Sequence, residues 1–199
     1  MSMQIIELVI DEDSENIGVE AVSVVEQPAI EIDFVALKEH EIKLNVNDDK
    51  RILLGPALVP NKQIYRRDEE FGEYYIFFSK DTVSQASQLF LKSYRQSSAT
   101  FEHEFTIDGM TVVESWIVEN PEMDKAKEYG FSVPKGTWMI SMKVDNEEVW
   151  ANVKDGKVKG FSIEGHFADK LQMSKPTTDE QTLNAIIKII QDAENENSK

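Results

Sequence analysis

Asp108-Gly109 separates two β-type runs, Phe101 to Ile107 and Met110 to Val118, and constrains the fold more than any other dipeptide here. A two-residue Asp-Gly turn supplies the left-handed backbone that tight hairpins need. Closing it pairs Ile107 with Met110, and the same register sets His103 directly opposite Glu114. Opposed residues have Cβ atoms about 4.5–5.5 Å apart, close enough for a carboxylate to orient an imidazole. The same pairing equally fits a surface His–Glu contact, and a one-residue slip would break it.

Other segments extend the β pattern. Ile5 to Ile10 is an apolar run, followed by an acidic turn from Asp11 to Asn16 and the strand-like stretch Val19 to Val25. Pro28 punctuates, and Ile30, Ile32 and Phe34 alternate with acids. Residues 38–51 are highly charged and read as a linker or exposed edge strand. Apolar β-type sequence returns at Ile52 to Pro60 and at Tyr74 to Phe78.

Helices are few. Residues 81–95 set Val83, Ala86, Phe90 and Tyr94 on one stripe, with Ser79 or Asp81 as cap. A short charged helix is predicted over 121–129, capped by Asn120, with Pro121 in its first turn and Gly130 ending it. Another covers 146–155, stopped by Gly156. A last helix, 179–192, opens with Thr177 and Glu180 in capping-box spacing and shows Leu183, Ile186, Ile187 and Ile190 on one face. The expected class is therefore α+β, mainly β. Residues 1–170 form the domain, with N-terminal strands in 1–36 and a core over 52–170; residues 171–199 are a linker, helix and frayed tail.

Length and charge narrow the function. A chain of 199 residues suits one core and a tail, and is too short for two ordinary domains. The 21 basic and 37 acidic residues leave a net charge of −16, which opposes binding to nucleic acid or an anionic membrane and points to protein partners. No run approaches the roughly 18 apolar residues of a membrane helix. The start shows no secretion signal, and the absence of cysteine excludes thiol catalysis, disulfides and Cys-ligated zinc and suits a reducing cytoplasm.

Three histidines limit the choice of a neutral-pH base. His40 sits among charges and reads as a solvated surface residue. The other two are His103 and His166. Along Val158 to Phe167 the strand period turns Phe161, Ile163 and Phe167 one way and Ser162, Glu164 and His166 the other. Gly160 and Gly165 flank this polar row, where glycine lets a second backbone approach and leaves amides accessible to an oxyanion. A solvated edge strand would show the same pattern. No H-E-x-x-H metal spacing, G-x-S-x-G elbow or glycine-rich phosphate loop occurs, so no metal or cofactor is expected.

The chain resembles the XkdF-type serine proteases of tailed phages, relatives of the prohead maturation proteases. The likeness rests on Val19 to Ile30, Gly55-Pro56-Ala57-Leu58-Val59-Pro60, Val113 to Val118, Pro134 to Trp138 and the Ser162 strand taken together. It implies an assemblin-like β-barrel flanked by helices, with Ser162 as nucleophile and His103 as its base. Glycine often stands two positions after the serine in the wider group, where this chain has Glu164. Assemblins use a second histidine as third member, which makes His166 a rival; the hairpin register favours Glu114, with Glu164 and His166 in reserve. Ser115 is a rival nucleophile, on the opposite strand face from Glu114. The implied substrates are phage scaffold protein, the scaffold segment of the major capsid protein and the protease itself, whose tail after Lys170 is a candidate for self-removal. The implied setting is the host bacterial cytoplasm, inside the procapsid, with a homodimer as the assemblin-type assembly. A non-catalytic capsid-assembly protein retaining the fold is the alternative, followed by a stand-alone host peptidase.

Overall fold

Three apolar-rich segments become the most buried strands. In the computed structural model, which describes residues 4–11, 18–32, 35–37, 50–68 and 72–170, these are β2 (Gly18–Val25), β4 (Ile52–Leu58) and β10 (Trp138–Val144). Each is buried almost along its whole length, as continuous rather than alternating hydrophobicity requires. The remaining strands are β1 (Gln4–Val9), β3 (Val35–Leu37), β5 (Ile64–Asp68), β6 (Gly72–Phe78), β7 (Ala99–Phe101), β8 (Phe105–Thr106), β9 (Met110–Ile117), β11 (Gly160–His166) and β12 (Ala168–Asp169). They form three four-stranded sheets, ordered β12-β1-β6-β5, β3-β4-β10-β9 and β11-β2-β7-β8. The class is α+β and mainly β, but among the described residues the sheets do not close into the barrel implied by the resemblance: each is open, with two edge strands.

Among the described residues, three helices lie beside the sheets. Ser79 caps α1 (Lys80–Lys92), accepting from the Thr82 amide, and Val83, Ala86 and Phe90 form its buried stripe. Phe90 meets Trp138 edge-on, with ring centroids 5.5 Å apart, in a cluster that also holds Ile6, Val22, Val24 and Phe161. Each such side chain contributes about 1.5–3 kcal/mol on burial. Tyr94, expected on the same stripe, lies beyond the helix end at positive φ and is exposed. Asp124, rather than Asn120, caps the single-turn helix α2 (Lys125–Glu128); Asn120 instead accepts from the Glu122 amide. Asn146 caps α3 (Glu147–Lys154), and Gly156 follows it at φ +68°. The predicted helix at 179–192, the tail after it, His40 and most of the charged linker fall outside the described residues.

The Asp108-Gly109 hairpin is overturned. β8 pairs with β7, not with β9, through Thr100–Thr106 and Phe101–Phe105, so the chain reverses at His103 rather than at Gly109. β9 pairs with β10, which buries Met110 and Val112 in the core. Asp108-Gly109 is still a corner, but a docked one: the Gly109 carbonyl accepts from the Asp145 amide (2.7 Å) and the Asn146 amide (3.2 Å). A three-residue reversal at 102–104 and a buried partner for β9 outweigh the local preference of the dipeptide.

The two glycines of β11 are close-approach positions. A Cβ on Gly160 would lie 2.4 Å from the Pro28 ring, and one on Gly165 would lie 2.0 Å from the Gly18 carbonyl oxygen. The second obstacle is backbone and cannot swing aside. Gly165→Ala is expected to cost about 2–3 kcal/mol, lowering the melting temperature by roughly 5–10 °C. Thermal unfolding followed by circular dichroism measures it; an unchanged midpoint would show that β2 shifts freely.

Candidate active site

The sheet β11-β2-β7-β8 carries Ser162, Glu164 and His166, with His103 on the turn between β7 and β8. Its second strand, β2, is apolar except for Glu20 and Ser23. Ser23 is fully buried and uses its hydroxyl twice, donating to the Thr100 carbonyl (3.3 Å) and accepting from the His103 amide (3.1 Å). A buried hydroxyl that satisfies two backbone groups is retained at little net cost, whereas an unpaired one costs about 1–3 kcal/mol. Ser23 therefore fastens the His103 turn to the sheet.

That turn is strained. Glu102 and His103 both have positive φ, 50° and 61°, and the Glu104 amide closes on the Phe101 carbonyl at 3.0 Å. Positive φ at both central positions is the sign pattern of a type I′ turn, which usually takes Asn and Gly. Two non-glycine residues there cost on the order of 1–2 kcal/mol each. Contacts to β2 offset the strain: the Glu102 amide donates to the Val24 carbonyl (3.2 Å), and its carboxylate accepts from the Glu26 amide (2.6 Å). Strain held in this way is common where a side chain is being aimed.

His103 is aimed at β11. Its Nδ1 lies 3.0 Å from Glu164 Oε1, and both side chains are partly exposed. The same carboxylate oxygen accepts from the Thr100 hydroxyl, reaching across β2 from β7. The reach is short because β2 presents only Ala21 and Ser23 there, opposite Glu164 and Ser162 respectively. Ser162, half-buried, is thus the register partner of the serine that holds the His103 amide. No hydrogen bond joins Ser162 to His103 among the described residues. With Nδ1 turned to Glu164, Nε2 is the nitrogen left for a proton from elsewhere.

The structure separates the other candidates from His103. Glu114, expected opposite it, instead binds Lys125 Nζ (2.5 Å) and the Ser141 hydroxyl, because β9 pairs with β10. Lys125 also lies over the Trp116 ring, whose Nε1 donates to Asp124, so Glu114 belongs to a clasp holding α2 against the sheet. His166 pairs with Glu20 (3.5 Å) beyond a bulge between Glu164 and Gly165, which breaks the simple alternation of the polar row. Ser115 accepts from the indole of buried Trp138 (2.8 Å). Ser23 and Thr100 were not singled out by sequence reasoning; the visible signal was a lone hydroxyl within Val22-Ser23-Val24.

The hydrogen bond from Lys125, then that from Ser141, holds the Glu114 carboxyl below its ordinary value of 4.5. A depressed carboxyl stabilises the folded state fully above its unfolded pKa and loses that contribution as pH falls through the folded one. Wild-type protein is therefore expected to lose stability more steeply than Glu114→Gln as pH drops below about 4.5. Urea unfolding midpoints between pH 6 and 3 would test this; parallel profiles would show that the clasp is open in solution.

The sheet thus bears a serine on the strand of Glu164, whose carboxylate meets the His103 imidazole, and these are residue types from which serine hydrolases are built. A family profile described as "Putative phage serine protease XkdF" matches residues 39–171, and the chain belongs to that family. It is also similar to the Bacillus subtilis (strain 168) protein named "Uncharacterized protein YqbD", with 28% identity over 146 residues. That match covers 73% of this chain and 40% of the relative, so the chain spans about two fifths of that protein's length. No solved structure matches it.

Proposed function

We propose that the protein is a phage head-maturation serine endopeptidase, acting inside the procapsid on scaffold protein, on the scaffold segment of the major capsid protein and on itself. The observation that carries this reading is the 3.0 Å contact between His103 Nδ1 and Glu164, on the strand that bears Ser162. The carboxylate keeps the Nδ1 proton in place, so that Nε2 accepts the Ser162 proton as Oγ attacks a peptide carbonyl. The imidazolium then protonates the leaving amine, and water, deprotonated by the same nitrogen, releases the acyl group from Ser162. Glu164 takes the third position on this reading, in place of Glu114. Kinship with assemblins then lies in the Ser–His chemistry rather than in a closed barrel.

Intact-mass analysis of wild type and Ser162→Ala, each co-expressed with the phage's capsid and scaffold proteins, tests the proposal. Defined fragments with wild type and none with the variant are expected. Uncut proteins in both cases, with capsids still assembling, would favour a non-catalytic assembly role.

A further inference from the structure

Four hydrogen bonds close a ring around the His103–Glu164 contact. The His103 amide donates to the Ser23 hydroxyl (3.1 Å), and Ser23 donates to the Thr100 carbonyl (3.3 Å). The Thr100 hydroxyl donates to Glu164 Oε1, which lies 3.0 Å from His103 Nδ1. Thr100 therefore reaches both halves of the pair. Its carbonyl is tied to the His103 turn through Ser23, and its hydroxyl to the carboxylate.

The members of the ring differ in how firmly they are held. Thr100 is 9% exposed and its backbone is paired on both sides, with Ser23 in β2 and Thr106 in β8. Its β-branched side chain has few rotamers, so the hydroxyl has a restricted direction. Glu164 is the soft member: its side chain is 31% exposed, on an edge strand that bulges just after it. Among the described residues no lysine or arginine pairs with it. A carboxylate so placed is drawn to water, since ordering a glutamate side chain costs rotamer freedom. A buried hydroxyl fixed by its backbone offsets that cost, because hydrogen bonds to a charged group are the stronger ones.

We propose that Thr100 is a positioning residue of this site: it holds the Glu164 carboxylate on His103 Nδ1 and so keeps the imidazole in the tautomer whose Nε2 is free to take a proton. Thr100 acts only through Glu164. Its effect on turnover rests on the protease reading, whereas the tautomer can be measured without it.

Thr100→Val removes the hydroxyl and keeps the branched shape; Thr100→Ser returns the hydroxyl. Imidazole-nitrogen NMR of the full chain at about pH 8.5, where the ring is neutral, reads the tautomer. Wild type is expected to hold His103 in the Nδ1–H form. Thr100→Val should lower the ratio of that form to the Nε2–H form at least about tenfold, with Thr100→Ser close to wild type. In turnover, Thr100→Val is expected to lower kcat about 10- to 100-fold with KM within about threefold. A cycle with Glu164→Gln separates positioning from general support of the fold. Once the carboxylate is gone, Thr100→Val should lower kcat by no more than about a further threefold. An unchanged tautomer ratio in Thr100→Val, or a kcat loss that adds in full to that of Glu164→Gln, overturns the assignment even if Ser162-dependent cleavage stands. The tautomer shift with no cleavage by wild type would instead overturn the protease reading and keep the positioning role.

Discussion

Ser162→Ala is expected to lower kcat/KM by about 10⁴- to 10⁶-fold while leaving the melting temperature within a few degrees of wild type. The size of the loss follows from covalent catalysis: without the hydroxyl no acyl-enzyme forms, and only bound water remains to attack. The small structural effect follows from the site. Ser162 is half-buried, and its replacement deletes one oxygen without opening a core cavity. Ser115→Ala is the matching control. Its hydroxyl satisfies the Trp138 indole, so its loss should cost stability and leave turnover intact. Cleavage that survives in Ser162→Ala and disappears in Ser115→Ala would reverse the assignment.

Glu164→Gln is expected to reduce kcat by about 10²- to 10⁴-fold, the range in which loss of a triad carboxylate falls. Glutamine still accepts from Thr100, so the local structure should persist. Its amide N–H₂ group can donate to Nδ1, which draws the imidazole into the tautomer whose Nε2 carries the proton and cannot serve as base. Glu114→Gln should leave kcat within about threefold, since Glu114 is bound to Lys125 and Ser141. Steady-state rates across pH 5–9 discriminate the two. A large loss in Glu114→Gln with wild-type rates in Glu164→Gln would restore the pairing that the Asp-Gly turn suggests.

Local physics made much of this protein readable from its residues. A capping hydroxyl and a 3.6-residue apolar period act within one or two turns, and Ser79, Val83, Ala86 and Phe90 mark α1 for that reason. Apolar β-type runs identified β2 and β4 as strands, but not the equally buried β10, and strand alternation set Ser162 and Glu164 apart from Phe161 and Ile163. The paired glycines of β11 likewise marked real close approaches, to Pro28 and to Gly18.

Pairing was another matter, because it depends on which distant strand competes best. Asp108-Gly109 has the composition of a hairpin turn, yet β9 gains more by burying Met110 and Val112 beside β10. The reversal at Glu102 and His103 lacks the residues that such turns prefer, and exists because Ser23, Val24 and Glu26 hold it from 76 to 80 positions away. The partner of His103 therefore changes from a carboxylate 11 positions along the chain to one 61 positions away. Residue types and periods were determined by the sequence alone. The company each polar side chain keeps was decided by tertiary structure, since long-range register is a contest between strands that no short segment can record.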